Sequence, residues 1–88
     1  MKVWKYELPI ADEFSLELPK GAKIIHAGQQ ESDHWCIWAV VDPDVPTESR
    51  TFRFAGTGHE IDELPEKLVH IASWQRWPFV WHAFEVLP

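Results

Sequence analysis

The sequence predicts an all-β protein: a small single-domain sandwich or barrel of about six to seven short antiparallel strands. Three observations support this fold class. Apolar residues recur at every second position in most segments, which is the period of a half-buried strand. Turn-forming residues separate these segments about every 8–12 positions, and no segment shows the roughly 3.6-residue period of a helix. A chain of 88 residues is expected to form one domain, spanning 1–88.

Three short strands are expected in the first third of the chain. The first is WKYELPI at 4–10, where every second residue, ending with Ile10, is apolar. The segment EFSLELP at 13–19 repeats this alternation, and the turn PKGAK follows it. The third strand is KIIHAGQQ at 23–30, and the polar segment QESDH connects it to the next strand.

The middle of the chain contains the strand expected at the centre of a sheet. The segment HWCIWAVVDP at 34–43 is apolar at both odd and even positions, which is typical of a strand covered on both faces. The segment DPDVPTES ends this strand, because prolines and short polar residues do not continue a β-ladder. Alternation resumes in RTFRFAG at 50–56, with Phe52 and Phe54 on one face.

The last third of the chain is expected to form a loop and a hairpin. The loop is GTGHEIDELPEK at 56–67, with one helical turn around Glu60–Glu63, since Pro65 limits any longer helix. Two strands follow, LVHIASW at 68–74 and FVWHAFEV at 79–86. The segment QRWP between them is expected to be the hairpin turn.

Charge and cysteine content narrow the classes of function. Fourteen acidic residues and eight basic ones give a formal net charge of −6, and the basic residues form no run, so nucleic-acid coating is not expected. The single cysteine, Cys36, lies in an apolar run, which fits a reducing compartment. The amino terminus lacks the apolar core of a signal peptide, and no apolar run is long enough to span a bilayer. The sequence therefore predicts a cytoplasmic protein without membrane contact.

The segment Gly56-Thr57-Gly58-His59 is a candidate ligand-binding loop. Two glycines beside a threonine and a histidine can form a backbone nest that holds an anion such as a phosphate. The segment matches neither of the glycine patterns that cradle phosphates. The glycines also suit a simple turn, because they tolerate positive φ where a strand ends. Both interpretations remain open from the sequence.

No catalytic residue, metal site or cofactor is expected. The histidines contain no closely spaced pair, and His34 and Cys36 would form only half of a zinc site. If the hairpin turns near Arg76, His70 and His82 are roughly opposite each other and could bind a metal or relay a proton. Hydrogen bonding on a half-exposed face is the simpler interpretation. The serines lack a nucleophile-elbow motif.

The closing aromatic stretch, HIASWQRWPFVWHAFEV at 70–86, is the candidate interface. Its last strand is largely apolar on both faces, and so short a chain has little material left to cover the second face. An uncovered aromatic face marks an interface, where tryptophan is enriched. The stretch predicts a partner surface or a homo-oligomer, with a closed monomeric core as the alternative. The candidate interface residues are Trp74, Trp77, Phe79, Trp81, His82 and Phe84.

Four motifs are distributed along nearly the whole chain, from residue 5 to residue 86: KYELPIAD, LPKGAKIIHAG, WAVVDPDVPTESRTFRFAGTGHEI and FVWHAFEV. Together they resemble a family of short phage- and prophage-encoded proteins to which no function is assigned. The resemblance implies a phage or prophage origin and a location in the cytoplasm of the bacterial host, and it implies no catalytic residues. The segment ELPEKLVHIASWQRWP departs most from the family pattern.

A non-enzymatic binding protein is the function these observations favour. A small acidic phage protein suits the inhibition or modulation of a host protein, such as a defence complex, and a host or phage protein is the expected partner. The candidate acidic surface could occupy a site that normally receives nucleic acid. It comprises Glu60, Asp62, Glu63 and Glu66, and extends over Glu31, Asp33, Asp42, Asp44 and Glu48. A nucleotide-like small-molecule binder and a minor structural phage protein are the alternatives, and an enzyme with histidine acid and base groups ranks last.

Overall fold

The computed structural model describes residues 1–30 and 34–88, which form two antiparallel β-sheets. The first sheet has the strand order β1–β4–β3, with β1 at Lys2–Leu8, β4 at Trp35–Val41 and β3 at Lys23–Gln29. The second has the order β2–β5–β7–β6, with β2 at Glu13–Pro19, β5 at Thr47–Gly56, β7 at Phe79–Val86 and β6 at Leu68–Arg76. Residues 31–33 of the predicted polar connection, with Glu31 and Asp33, lie outside the described residues.

The two sheets confirm the predicted all-β class with seven strands, and they make the described part of the chain a sandwich and not a closed barrel. Each paired set of neighbours is antiparallel. The final two strands form the predicted hairpin, and its two-residue turn at 77–78 contains a cis Trp-Pro peptide bond. No helix within the described ranges is long and apolar enough to cross a membrane.

Strand β4 is the central strand of the first sheet, as its continuous apolar sequence predicts. Trp35 and Ile37 are buried in the core shared with the second sheet. The next residue position along the strand points to the opposite face. On that face Cys36 is also fully buried, and Trp38 is half-buried beneath the ring of His26 at a centroid distance of 5.5 Å. One face is therefore in the core, whereas the second face is buried at Cys36 and only partly covered at Trp38 and Val40.

Aromatic rings from both sheets build the core. Phe52 and Phe54 of β5 are almost completely buried, and Phe14 of β2 stacks on Phe52 at 5.8 Å. Trp35 of the first sheet lies flat on Phe54 at 4.8 Å and tilted against Trp81 at 5.0 Å. Full burial of one such side chain contributes about 1.5–3 kcal/mol. Large rings thus let a small domain close its core across two sheets.

Several sequence expectations about element bounds are wrong. Strand β5 begins at Thr47, inside the segment DPDVPTES, and β6 continues to Arg76, so only Trp77 and Pro78 of QRWP form the turn. Strand β1 ends at Leu8, so Ile10 does not share its face and is 70% exposed. The proline between them cannot continue the ladder, and β1 is an edge strand. The short helical turn lies at Pro65–Lys67 and not at Glu60–Glu63. Proline begins this turn because its fixed φ suits the first helical position, where no N–H bond is needed.

Polar contacts hold the two sheets in register at both ends. The Arg50 guanidinium makes two bonds to the Glu85 carboxylate, at 2.6 and 2.7 Å, and also donates to the carbonyl of Ala22. These bonds tie β5 and β7 to the turn before β3. On the other side, the indole N–H of Trp74 donates to Oε1 of Gln29 at 3.0 Å, which links β6 to β3. The hairpin that ends the chain is therefore anchored across the sandwich.

Candidate functional site

The structure brings the candidate ligand loop and the candidate interface together. Strand β7 lies between β5 and β6, and its residue Trp81 pairs with Gly56, where β5 ends and the loop begins. The next residue, Thr57, donates its backbone N–H to the carbonyl of Val80 at 2.9 Å. The Thr57 hydroxyl is also 2.7 Å from Nε2 of His82. The two predicted sites are thus parts of one continuous surface.

The Gly56–His59 loop is a tight turn closed by its own histidine. The His59 N–H donates to the Gly56 carbonyl at 2.9 Å, and the Gly56 N–H donates to Nδ1 of the His59 ring at 3.1 Å. Gly58 has a φ of 88°, which favours glycine. A Cβ at Gly56 would lie 2.7 Å from Cε1 of His59, so a larger residue here would displace the His59 ring that closes the turn. Both glycines are explained by the turn, and a ligand-binding role of the loop stays a prediction.

The His59 ring also covers the aromatic end of the hairpin. Its centroid lies 5.6 Å from Trp81 and 6.4 Å from Phe79, both in edge-to-face geometry. Phe79 and Trp81 are in turn 5.5 Å apart. Edge-to-face aromatic contacts contribute about 0.5–1.5 kcal/mol beyond the buried area. The loop and the hairpin therefore stabilise each other's positions.

The closing aromatic stretch divides into buried and exposed parts. Trp74 and Trp81 pack on the core, with Trp74 edge-on to Phe54 at 5.6 Å. Phe84 is half-buried on the outer face, with the His70 ring 5.6 Å away. These side chains are accounted for by packing within the chain. The alternation of residues along a strand does not by itself distinguish these packed side chains from exposed interface residues, because it does not show which face of the strand the other sheet covers.

The exposed large apolar side chains of the stretch lie at the tip of the β6–β7 hairpin, and they are Trp77, Phe79 and Val80. Trp77 lies in the turn itself and is 85% exposed, Phe79 is 47% exposed and Val80 is 38% exposed. An exposed group of large apolar side chains on a small protein marks a contact surface. We refer to these three residues as the hairpin tip.

A chain of hydrogen bonds crosses the outer face of β7 and β6. The Ser73 hydroxyl lies 2.7 Å from Nδ1 of His82 and 2.8 Å from Nε2 of His70. The other ring nitrogen of His82, Nε2, lies 2.7 Å from the Thr57 hydroxyl. The predicted pair of histidines is therefore bridged by a serine and extended by the glycine loop. We call Thr57, His82, Ser73 and His70 the imidazole–hydroxyl chain.

Sequence reasoning did not find Ser73 because a β-bulge changes the parity of β6. His70 pairs with Phe84 and Ser73 pairs with His82, and the register shifts between His70 and Ala72. In a regular strand, residues three apart point to opposite faces. One extra residue in the bulge puts the serine and the first histidine on the same face. No feature of a period-two pattern announces this shift.

The predicted acidic surface also divides in two. Glu60, Asp62 and Glu66 are exposed, whereas the side chain of Glu63 is only 15% exposed and so does not belong to that surface. Its carboxylate binds the guanidinium of Arg53 at 2.6 and 3.1 Å. The bond to Arg53 lowers the pKa of Glu63 below its ordinary value. This pair fastens the loop to the outer face of β5, where Arg53 is buried to 8% exposure.

The half-site suggested by His34 and Cys36 is not assembled as a metal site. Cys36 is buried, and burial raises the pKa of its thiol. His34 instead lies 3.5 Å from a carboxylate oxygen of Glu7. Within residues 1–30 and 34–88, no three His, Cys, Asp or Glu side chains are grouped so that they could hold a metal ion.

An open groove of about 360 Å³ lies at the other end of β5. It is lined by Glu13, Glu48, Ser49, Arg50, Thr51, Glu85, Val86, Leu87 and Pro88. Three of its four charged side chains bond within the chain: Arg50 pairs with Glu85, and Glu48 accepts the N–H of Gly21 at 2.9 Å. The groove therefore presents fewer unbonded charged side chains than the residues that line it suggest.

Comparisons with known proteins match the chain to one family. No curated protein matches the chain, and no solved structure matches it either. The model of one family, described as a domain of unknown function (DUF7352), matches residues 1–88. This agrees with the resemblance to a family without an assigned function, whereas the phage or prophage origin stays a prediction. Because the match extends over all 88 residues, the chain belongs to the DUF7352 family.

Proposed function

We propose that this protein is a binding protein of phage or prophage origin that modulates a host protein through its hairpin tip. The observation that supports this proposal is the exposure of Trp77, at 85%, in the turn of a hairpin anchored across the sandwich. A rigid turn presents the indole with little conformational entropy left to lose on binding. Tryptophan in such a position is among the most common binding hot spots.

The charge of the protein supports one class of partner. Glu60 follows His59, whose ring contacts Phe79 of the tip, whereas Asp62 and Glu66 are exposed acids further along the loop, which leads away from the tip to the Leu68–Val86 end of the hairpin. With a formal net charge of −6, the protein attracts positively charged surfaces. The partner proposed here therefore has an apolar pocket bordered by basic residues. A host protein that binds nucleic acid in the bacterial cytoplasm has basic residues of this kind on its surface.

The test starts with capture of host proteins from a bacterial lysate and continues with the purified candidate partner. The Trp77→Ala variant should bind that partner about 30-fold more weakly than wild type, the loss typical of a hot-spot residue. The Trp4→Ala variant is the matched control, because Trp4 is an exposed tryptophan of the first sheet, at 38%. It should bind within about twofold of wild type, as expected for a residue outside the interface.

Two further measurements separate this proposal from its alternatives. Neutralising Glu60, Asp62 and Glu66 together should lower the association rate and reduce its dependence on salt. Sedimentation of the wild-type protein reports whether the hairpin tip is instead occupied by a second copy. A dimer that Trp77→Ala dissociates, or equal binding by wild type and Trp77→Ala, would refute the proposed partner surface.

A further inference from the structure

The imidazole–hydroxyl chain has the geometry of an activated nucleophile. Ser73 contacts His82 at 2.7 Å, and the second nitrogen of His82 contacts Thr57 at 2.7 Å. A nucleophile within hydrogen-bond reach of a base, which a third group orients, is the arrangement that activates serine hydroxyls. Ser73 is exposed, so a substrate can reach its oxygen.

The direction of the hydrogen bonds strengthens this assignment. A neutral histidine donates from one ring nitrogen and accepts at the other, and a serine hydroxyl donates one bond. In one direction His70 donates to Ser73, Ser73 donates to His82, and His82 donates to the Thr57 hydroxyl. In the reverse direction Ser73 donates to His70. In both arrangements the proton of Ser73 points at an imidazole nitrogen that can accept it.

We propose that Ser73 is an acyl-accepting nucleophile, with His82 as its general base and Thr57 as the residue that positions His82. His82 is assigned as the base in the first of these two arrangements, in which the Thr57 hydroxyl accepts from Nε2 and the Nδ1 atom that faces Ser73 carries no hydrogen. In that arrangement His70 donates to the same serine oxygen. The proposed reactivity of Ser73 does not depend on whether the hairpin tip binds a partner.

The substrate class is a small activated ester. The Ser73 oxygen forms a bond to the acyl carbon, and its proton passes to Nδ1 of His82. The bond between that carbon and the leaving oxygen breaks, and His82 returns the proton to the leaving group. Water then hydrolyses the acyl-serine and restores the hydroxyl. An open sheet face supplies little substrate binding energy, so a good leaving group is required.

The first experiment uses p-nitrophenyl acetate as the probe and needs no variant. Intact-mass analysis followed by peptide mapping measures acetylation of each serine during turnover. Ser15 is the internal control, because it is exposed and bonds to the Thr51 hydroxyl at 3.0 Å without a histidine. Ser73 should be acetylated about 100-fold faster than Ser15, the lower end of a general-base contribution. Equal acetylation of the two serines would overturn the proposal.

Variants then assign the roles. Ser73→Ala should abolish the fast acetylation, whereas Ser15→Ala should leave it unchanged. His82→Gln should slow it about 100-fold, and Thr57→Val should slow it less, because the base remains but loses its positioning partner. Near-ultraviolet circular dichroism checks that each variant keeps the native packing. A larger loss in His70→Gln than in His82→Gln, or fast acetylation in Ser73→Ala, would contradict the assigned roles.

Discussion

Replacing Glu63 with glutamine should destabilise this protein and release the loop that carries part of the site. The carboxylate of Glu63 makes two bonds to the guanidinium of Arg53, at 2.6 and 3.1 Å. Arg53 is only 8% exposed, so its charge depends on this partner. Glutamine preserves the shape of the side chain, removes its charge, and can accept only through one oxygen.

The size of the stability loss depends on which acidic groups still neutralise Arg53 in the Glu63→Gln variant. Loss of one partner of a buried ion pair typically costs about 3–5 kcal/mol, because the other charge is left buried. Two other acids remain as partial partners: Glu13, which pairs with Arg53 across β2 and β5, and the largely exposed Asp62, 3.7 Å from the same guanidinium. We therefore expect a loss of about 2 kcal/mol in the free energy of unfolding. In a domain of this size that loss lowers Tm by about 8–16 °C.

Unfolding by urea, followed by tryptophan fluorescence, measures the loss at neutral and acidic pH. Arg53 lowers the pKa of Glu63 in the folded state, so the stabilisation is fully present above the unfolded-state pKa. It is lost as the pH falls through the lowered folded-state pKa. The difference between wild type and Glu63→Gln should therefore be largest near about pH 7 and shrink towards about pH 2.

The matched control is Glu66→Gln, which neutralises an exposed acid near the same loop. It should change the free energy of unfolding by no more than about 0.5 kcal/mol. A Glu63→Gln variant as stable as Glu66→Gln at neutral pH would refute the role given to the Arg53 pair. So would a stability difference that stays constant as the pH falls.

Three further predictions concern the loop, the core and the thiol. Gly56→Ala should lower Tm and change tryptophan fluorescence, because its Cβ would lie 2.7 Å from Cε1 of His59; a Tm equal to that of wild type would contradict the close approach. Phe54→Ala should cost about 3–5 kcal/mol in urea unfolding, because it leaves a cavity against Trp35; a loss below about 1 kcal/mol would argue against this core position. Cys36 should react with a thiol reagent only after unfolding, since burial encloses it and raises the pKa of its thiol; fast labelling of the native protein would contradict its burial.

Local sequence pattern predicted most of the strands. The alternation in EFSLELP and the continuous apolar run around Trp35 correspond to β2 and β4. The hairpin that closes the chain also follows from its sequence, because turn residues separate two apolar runs. Where prediction failed, as at Ile10, a proline had ended the strand earlier than the apolar pattern suggested.

The sequence by itself determined the fold class, the central strand and the concentration of aromatic residues in the closing hairpin. Tertiary structure decided which aromatic side chains are exposed, because Trp74 and Trp81 lie on strand faces that pack on the core, whereas Trp77 lies in the turn beyond it. It also decided that Ser73 joins two histidines, since a bulge shifts one strand face. The physical reason is the same in both cases. Periodicity reports which side chains share a face, but contacts between residues distant along the chain depend on how the sheets pack and pair.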